Sequence, residues 1–434
     1  MSAPAVDHRL PNHRTVGTDP RVWWGVAAAV FAIAWGGNEF TPLLVMYKND
    51  GLPVTTVNLL LFEYVLGIVP ALLIGGPLSD RYGRRRLLRP APLITALGST
   101  LLAFGDGVVP MLSLGRVLCG IGLGLAMAVG SSWMKELSQP PFGPQSALGT
   151  GARRSAMSLT GGFAIGAGVA GVLAQWAPWP STLAYLINVT LCLAAAVWVR
   201  RAPETVAVQA VRKPLREDLR IPAAGHRRFV RIALPLAMWL FTSAATAYAI
   251  LPTLAADRIA AAPIAFSALI TVITLGCGFA IQSVARRLDL PGTARIAVLS
   301  LLLTTIGMTL SVYAAASLAL WAVAITAAVL GCGYGIGLVA GLQEIERIAR
   351  PDDLAGLTAV FYSVSYLGFG APVLLSLLHN VWNLGYPLMF AAGAVIALGC
   401  LAVVLANYRD ADLDVVSTGV SGVEPAVGAT EFVR

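Results

Sequence analysis

The sequence predicts an all-α polytopic membrane protein with twelve transmembrane helices in two pseudo-symmetric six-helix bundles. Of its 434 residues, 57% are hydrophobic and 12% are charged, whereas about 45–50% and 25% are usual in soluble domains. The apolar residues fall into runs of roughly 20, the length that crosses a bilayer as a helix. A polar, basic segment, "RRAPETVAVQAVRKPLREDLRIPAAGHRRFVR", divides these runs six and six.

Charged residues, prolines and glycines separate the runs and indicate where each helix begins. The helices are expected to begin near Val22, Thr55, Leu87, Val109, Ser155, Ser181, Phe229, Pro263, Ala294, Leu318, Leu354 and Pro387. We expect a cytoplasmic N-terminal tail (1–21), an N-terminal six-helix bundle (22–200), a cytoplasmic linker (201–228), a C-terminal six-helix bundle (229–408) and a disordered cytoplasmic tail (409–434). The first 20 residues hold no apolar run, so no cleavable signal peptide is expected.

The distribution of positive charge predicts the orientation of the chain. Of the 30 lysines and arginines, all but three lie in the tails and in the loops of one face. Lys48 and Arg258 lie on the opposite face, and Arg116 lies within a span. Because basic loops stay in the cytoplasm, we predict a multi-pass protein of the plasma (inner) membrane with both termini cytoplasmic. Topology thereby accounts for the net charge of +8 without a nucleic-acid partner.

Enzyme chemistry finds no support in the sequence. None of the three lysines follows a glycine, so there is no G-K-[ST] phosphate loop. The four histidines are scattered through tails and loops, and the five cysteines lie in apolar stretches without a C-x-x-C spacing. We therefore predict no enzyme activity, no metal and no cofactor.

The stretch "GGPLSDRYGRR", residues 75–85, places one acid and three arginines at the end of the second span. Positive charge alone would anchor that end, but an anchor does not require Asp80 between Gly76 and Gly83. Glycines spaced in this way indicate a tight turn with close backbone approach. The stretch resembles the signature G-x-x-x-D-R-x-G-R-R, which the major facilitator superfamily carries between helices 2 and 3.

The two-half, twelve-span layout extends this resemblance over nearly the whole chain, and it implies the major facilitator fold with a cytoplasmic gate. In the family the acid of the motif, here Asp80, faces the N-terminus of helix 11. The arginines pair with an acid near the inner end of helix 4, here Glu136. The gate is expected to comprise Gly76, Asp80, Arg81, Gly83, Arg84, Arg85 and Glu136.

Two pairs of similar short segments, one member of each pair in each half, suggest an internal duplication, which is common in transporters. "LCGIGLGL" at residues 118–125 is echoed by "GCGYGIGL" at residues 331–338. A fainter echo joins "RRR" at 84–86 to "ARR" at 285–287.

Three charged residues lie inside the predicted spans, namely Glu39, Glu63 and Arg116. Counted along their helices, all three lie about 10 Å below the outer surface, so they are able to meet. A static ion pair that joins three helices would explain them. A proton-coupling site would also do so, with one glutamate paired to Arg116 and the other free to bind and release a proton. "GRVLCGIGLG" resembles the R-x-x-x-G-x-G motif of proton-coupled family members, which favours the second interpretation.

The candidate substrate contacts come from both halves. Pro42 cannot donate to the carbonyl of Asn38, so helix 1 is opened beside Glu39, and Trp35 lies on the same face as that acid. This arrangement suits a cation or an amphipathic amine. The predicted substrate-binding residues are Trp35, Asn38, Trp239, Tyr248, Tyr334, Tyr362 and Tyr366. Their aromatic character favours a hydrophobic or amphipathic solute over a phosphate or a dicarboxylate.

Helix 5 contains "GGFAIGAGVAGVL", residues 161–173, whose small residues allow close helix packing. The segment also resembles the antiporter motif G-x-x-x-G-P-x-x-G-G, with Ala167 in place of proline and Ala170 in place of glycine. The resemblance is therefore greatest to the twelve-span drug:proton antiporter branch.

These features predict a secondary active transporter that couples efflux of a hydrophobic or amphipathic small molecule to protons by alternating access. The alternative is a proton symporter or facilitator that imports a nutrient such as a sugar or an organic acid. A third possibility is a transporter-like receptor or scaffold, against which the intact gate motif argues. The expected partners are a small-molecule substrate, protons and the lipid bilayer, and the protein is expected to be a monomer.

Overall fold

The computed structural model describes residues 21–146, 149–206, 221–259, 261–290, 292–350 and 353–409. Twelve apolar helices are present in these ranges, and they confirm the predicted fold class. They are α1 (Trp24–Asn49), α2 (Val54–Tyr82), α3 (Arg84–Phe104), α4 (Val109–Leu137), α5 (Thr150–Trp176), α6 (Leu183–Val199), α7 (Phe229–Leu254), α8 (Pro263–Leu288), α9 (Arg295–Ser317), α10 (Leu320–Ile348), α11 (Leu354–Trp382) and α12 (Tyr386–Ala406).

Eleven of the described helices have the length and composition to cross a membrane, and α6 is apolar but shorter. The predicted helix starts are close to the observed ones. The clearest difference is α5, which begins at Thr150 rather than near Ser155. Nearly all of the predicted N-terminal tail, the middle of the predicted linker and nearly all of the C-terminal tail lie outside the described residues.

Equivalent helices pack together in the two halves. In the first half α4 packs against α2 and α3, and in the second α10 packs against α8 and α9. Glycines make these contacts possible because their backbones touch. A Cβ atom on Gly120 would lie 2.1 Å from a carbonyl of α2, and one on Gly331 would lie 2.3 Å from a carbonyl of α8. Gly122 and Gly333 likewise face threonines of α3 and α9.

The structural repeat differs slightly from the echo in the sequence. Gly120 and Gly124 face α2, and their counterparts against α8 are Gly331 and Gly335. The letters "LCGIGLGL" and "GCGYGIGL" would instead pair Gly120 with Gly333. The sequence echo is therefore out of register with the structural repeat by two residues, because a run of alternating glycines matches itself after such a shift.

The two halves meet where α5 packs against α8 and α2 packs against α11. We call the end at which residues 201–228 join the halves the linker end, and the opposite end the far end. At the far end the side-chain oxygen of Gln175 accepts hydrogen bonds from the backbone N–H groups of Ile264 (3.0 Å) and Ala265 (3.3 Å). The Asn380 amide also donates to the Thr55 hydroxyl across 2.8 Å. These bonds hold the halves together at the far end.

Helix α1 is interrupted at Glu39, between its segments Trp24–Asn38 and Phe40–Asn49. Pro42 lies three residues later and lacks an N–H group, so the carbonyl of Asn38 loses its helical partner. The side chain of Asn38 accepts a hydrogen bond from the Thr41 hydroxyl across 2.9 Å. The break therefore lies where the sequence predicted it, beside the buried acid.

Candidate functional site

A small cavity of about 20 Å³ lies between the two halves near the middle of the bundle. It is lined by Gly37, Asn38, Thr41, Leu61, Tyr64, Arg116, Leu123, Phe163, Phe241, Tyr248, Leu275, Tyr334, Tyr366 and Phe369. The lining is mainly apolar and aromatic, and it draws on α1, α2, α4 and α5 of the first half and on α7, α8, α10 and α11 of the second. The cavity has room for about one water molecule, so an organic solute would enter only as the lining side chains move apart, and it would then contact both halves at once.

Arg116 is the charged residue of the cavity lining. Its side chain is fully buried, and its guanidinium carbon lies 4.4 Å from the ring centroid of Phe40 and 4.3 Å from that of Tyr64. The Nε atom donates to the carbonyl of Leu60 across 3.2 Å, while Nη1 has no hydrogen-bond partner. Two aromatic faces thus hold the guanidinium and leave one of its donors unsatisfied.

Glu39 is also fully buried, but it does not belong to the cavity lining. One of its carboxylate oxygens lies 3.4 Å from the hydroxyl of Ser99 on α3, and the other has no hydrogen-bond partner. Ser99 lies 2.8 Å from the side-chain oxygen of Asn188, whose amide donates to the carbonyl of Ala32 across 2.7 Å. The carboxylate therefore lies inside the first half, among α1, α3 and α6.

The expected ion pair between Arg116 and a glutamate is not formed within the described part of the chain. No carboxylate there lies within 4.0 Å of the guanidinium, although Arg116 does act electrostatically on Glu39 at longer range. Glu63 is half-buried, and one of its oxygens is buried without a hydrogen-bond partner. Equal depth proved insufficient because the Glu39 carboxylate lies toward Ser99 on α3, whereas the guanidinium of Arg116 packs against Phe40 and Tyr64.

The structure places four of the seven predicted substrate contacts in the cavity lining, namely Asn38, Tyr248, Tyr334 and Tyr366. Trp35, Trp239 and Tyr362 do not line it. Trp35 packs against α5, where a Cβ atom on Gly166 would lie 2.8 Å from its Cα atom. Trp239 is buried in the core of the second half, and Tyr362 packs beside Phe361. Helical spacing alone did not show which face of each helix meets the cavity.

The glycines of α5 allow this helix to pack closely against both α1 and α8. Gly162 and Gly166 lie against the backbone of α1, and a Cβ atom on Gly171 would lie 2.1 Å from the Cβ atom of Ala268 on α8. These glycines therefore bring the two halves into close contact along α5 and α8.

An aromatic cluster on the second half faces the cavity, and the sequence interpretation missed its centre. The ring of Phe241 stacks on Tyr366 with 4.2 Å between centroids and on Phe369 with 5.1 Å, and Tyr334 lies 5.7 Å away. The sequence could have predicted Phe369 as a lining residue, because it lies three residues after Tyr366 and therefore on the same helical face. Phe241, Phe369, Phe163 and Tyr64 join the predicted lining residues.

At the linker end, Arg84 is the centre of the signature motif. Its guanidinium lies 2.9 Å from Glu136 on α4 and 2.6 Å from Asp80. It also donates to the Ser79 hydroxyl. The arrangement agrees with the implied pairing of a motif arginine with Glu136.

Glu204, which follows α6, completes this cluster and was not predicted as part of it. Its carboxylate accepts hydrogen bonds from the backbone N–H groups of Arg84 (2.9 Å) and Arg85 (3.0 Å), and it thereby caps the first turn of α3. The next residue, Thr205, donates its hydroxyl to Glu136. Gly83 has a φ angle of +97°, and a Cβ atom there would lie 2.5 Å from the Glu204 carboxylate. Glu204 and Thr205 belong to the stretch "APETV", residues 202–206.

Two expectations for the gate need correction. A Cβ atom on Gly76 would have no neighbour within 4 Å, so close backbone approach does not require glycine there. The Asp80 side chain is 59% exposed and pairs with Arg84. Among the described residues it makes no hydrogen bond with the first turn of α11, because its carboxylate is turned back onto its own motif. Arg81 is half-buried.

The second half carries a buried ion network at its own linker end, which the sequence interpretation also missed. Arg228 pairs with Glu344 with both side chains almost fully buried. Arg347 pairs with Glu344 across 2.6 Å and with Asp289, which precedes α9, across 2.7 Å. The network occupies the place that Arg84 and Glu136 occupy in the first half, since α10 is the counterpart of α4.

The fold and these sites can be compared with known proteins. The family model described as Major Facilitator Superfamily matches residues 25–255, just over half of the chain. The chain belongs to the Major Facilitator Superfamily. It is a multi-pass membrane transporter of that superfamily, and its family and fold are not those of enzymes.

Among superfamily relatives, the chloramphenicol resistance protein of Pseudomonas aeruginosa is 23% identical over 406 residues, which cover 88% of this chain and 90% of that one. The puromycin resistance protein of Streptomyces alboniger is 27% identical over 43% of this chain. The glucose transporter GlcP of Staphylococcus epidermidis is 26% identical over 23% of it. The chain spans only 37% of the puromycin protein and 22% of GlcP.

Solved structures of the superfamily share the fold. A crystal structure of a POT family transporter, in complex with a thioalcohol-conjugated peptide, superposes with a TM-score of 0.71 at 12% identity. It covers 89% of this chain and 95% of that one. At this identity the likeness concerns the arrangement of the helices and not the substrate.

Proposed function

We propose that this superfamily member is a proton-coupled secondary transporter that exports an aromatic or amphipathic small molecule by alternating access. The observation that carries the proposal is the buried carboxylate of Glu39 beside a cavity that contains Arg116. Glu39 can bind a proton and Arg116 can bind a solute. The two side chains are not in direct contact, but they interact electrostatically.

Alternating access requires two rigid halves and a cavity between them, for which residues 22–200 and 229–408 are the proposed bodies. The far end is closed by the hydrogen bonds of Gln175 and Asn380 to the opposite half. The linker end is the proposed cytoplasmic side, because basic loops cluster there. In this arrangement the gate motif around Arg84 controls access to the cavity from the cytoplasm.

Protons are coupled to the solute through the field at Arg116. The interior of the bundle has a low dielectric constant, so a change of charge on Glu39 alters the electrostatic potential at the guanidinium of Arg116 even without direct contact. When Glu39 is protonated, the positive potential at Arg116 is less compensated. The affinity of the cavity for a charged or polar solute then changes, and the two fluxes become linked.

Export is supported by the chloramphenicol resistance protein, the relative that matches along 88% of this chain. Uptake is the second candidate, and one observation favours it. The cavity offers a cation with no acid within 4.0 Å among the described residues, and a bound anion would favour protonated Glu39. Proton and anion would then move together, as in a symporter.

Flux measurements in proteoliposomes test the coupling. Radiolabelled chloramphenicol and puromycin are the first probes, and accumulation is followed with and without an imposed pH gradient. We expect the wild type to respond to the gradient, Glu39→Gln to lose the response, and the matched variant Glu346→Gln, at an exposed glutamate of α10, to retain it. A full response from both Glu39→Gln and Glu63→Gln would refute proton coupling through these residues. The direction of accumulation separates export from uptake.

A further inference from the structure

We propose that the cavity binds an aromatic monoanion, with its carboxylate at Arg116 and its ring against the cluster of Phe241, Tyr366 and Phe369. The inference rests on the proposed function only in taking the cavity as the transport path, and an anionic solute favours the second candidate, uptake together with a proton. It restricts the proposed solute from amphipathic molecules in general to aromatic monoanions.

Arg116 carries a buried positive charge without a carboxylate partner among the described residues. The side chain is fully buried, and no described carboxylate lies within ion-pairing distance. A buried cation without a counter-ion is costly, and the cation–π contacts with Phe40 and Tyr64 compensate for only part of that cost. A guanidinium presents its N–H donors at its edges, where carboxylates bind in two-point fashion. The Nη1 donor of Arg116 is buried and unsatisfied.

A second unsatisfied donor lies in the same wall. The hydroxyl of Tyr64 is buried and has no hydrogen-bond partner. Its ring lies under the guanidinium of Arg116, with 4.3 Å between the guanidinium carbon and the ring centroid. Native structures rarely leave two neighbouring buried donors unmatched. A carboxylate has the acceptor capacity to satisfy both.

The opposite wall specifies the apolar part of the solute. Phe241 stacks on both Tyr366 and Phe369, so three nearly parallel rings from α7 and α11 form one aromatic stack, which presents an apolar surface to the cavity. Aromatic ligands gain from offset stacking on such a surface beyond the burial of their area. A linear alkyl chain would bury area there without that additional gain.

The charges of the lining also exclude other classes. Arg116 is the only charged residue among the described lining residues, so a dianion would bury a second negative charge without a partner. A cationic amine would be repelled by Arg116, because Glu39 lies behind the wall and Glu63 is not part of the lining. The earlier expectation of an amine site at Glu39 and Trp35 is therefore replaced by an anion site at Arg116.

Binding to the purified full-length protein in lipid nanodiscs tests the inference with a series of matched probes. Cinnamate, cinnamyl alcohol and cinnamylammonium share one skeleton and differ in charge, benzoate is a shorter aromatic anion, octanoate is an aliphatic anion and phthalate is a dianion. Affinity is measured by calorimetry. We expect an aromatic carboxylate to bind at least about 10-fold more tightly than the alcohol, which corresponds to about 1.4 kcal/mol, and the ammonium and phthalate to bind more weakly still.

Variants assign the binding to the proposed groups. Arg116→Gln is expected to abolish the preference for carboxylate, whereas Arg258→Gln, at an exposed arginine, is expected to leave it unchanged. If Arg116→Gln does not fold, Arg116→Lys keeps the charge and should weaken carboxylate binding several-fold. Phe241→Leu should lower affinity for cinnamate but not for octanoate.

Two results would overturn the inference. The first is that cinnamyl alcohol or cinnamylammonium binds as tightly as cinnamate and benzoate do. Absence of binding by both carboxylates counts as the same result. The second is full carboxylate binding by Arg116→Gln. Proton-driven flux of a solute that carboxylates do not inhibit overturns the inference and leaves the proposed function intact. Carboxylate binding that depends on Arg116 without any proton-driven flux supports the inference and contradicts the proposed function.

Discussion

Arg84 forms an ion pair with Glu136, with 2.9 Å between Nη2 and Oε1, which fastens the turn between α2 and α3 to the linker end of α4. The pair is partly exposed, with 10% of the Arg84 side chain and 32% of the Glu136 side chain accessible to solvent. Its contribution to stability is therefore smaller than that of a fully buried pair, and solvent screening reduces it further.

We expect Glu136→Gln to lower both the thermal stability and the transport rate, because Arg84 loses its main carboxylate. Thermal unfolding of Arg84→Gln, Glu136→Gln and the double variant gives the interaction energy as a double-mutant cycle. We expect a coupling of about 1 kcal/mol. Strict additivity of the two single changes would show that this contact contributes nothing to the free energy of unfolding.

The two glycines of the signature motif should respond differently to alanine. Gly83 has a φ angle of +97° and lies against the carboxylate of Glu204, whereas Gly76 is helical and has open space at its Cβ position. Gly83→Ala is expected to lower the free energy of unfolding by about 1–3 kcal/mol. Gly76→Ala, the matched control, should be neutral or stabilising by up to about 1 kcal/mol. Equal effects in a thermal unfolding assay would contradict the geometry at Gly83.

The buried network of the second half should tolerate loss of a carboxylate poorly. Only 2% of the Glu344 side chain is exposed, and it serves both Arg228 and Arg347. Glu344→Gln is expected to lower the free energy of unfolding by about 3–5 kcal/mol. Asp80→Asn removes a carboxylate that is 59% exposed and should cost less than about 1 kcal/mol. The two variants are compared by thermal unfolding in one detergent, and a similar loss in both would refute the argument from burial.

Closure of the far end should depend on Gln175. Loss of its acceptor for Ile264 and Ala265 removes two hydrogen bonds, each worth about 0.5–1.5 kcal/mol, so Gln175→Ala should favour separation of the halves. Thr55→Cys combined with Asn380→Cys reports this directly, because these side chains are in contact in the closed form. We expect oxidative cross-linking to slow by roughly 5-fold or more with Gln175→Ala. Gln139→Ala at the linker end is the control and should leave the rate unchanged.

The arrangement of the helices could be predicted from the sequence because a lipid environment imposes a simple length rule. The break at Glu39 was predictable for a similarly local reason, the proline three residues later. Glu39 and Arg116 were expected inside the membrane and are fully buried, but the buried pair of Arg228 and Glu344 was missed, and the partners of Arg116 were not foreseen. Arg116 was expected to meet an acid, and it lies between Phe40 and Tyr64.

The parts of the site that the sequence did not reveal depend on contacts between distant segments. Glu204 lies 120 residues from Arg84, and no local pattern links the two. Tyr362 and Tyr366 are one turn apart, yet only Tyr366 lines the cavity. Helical periodicity defines relative faces, whereas the absolute rotation of α11 depends on its packing against α2 and α7.

The register of the glycine repeat has a consequence for how a solute crosses the protein. It pairs Leu123 with Tyr334, which both line the cavity, and Arg116 with Ala327, which is buried. The two halves thus offer walls with equivalent positions but different chemistry. A solute would be held with its head group against one half and its tail against the other throughout the cycle. Such a solute would keep one orientation relative to the two halves from entry to release.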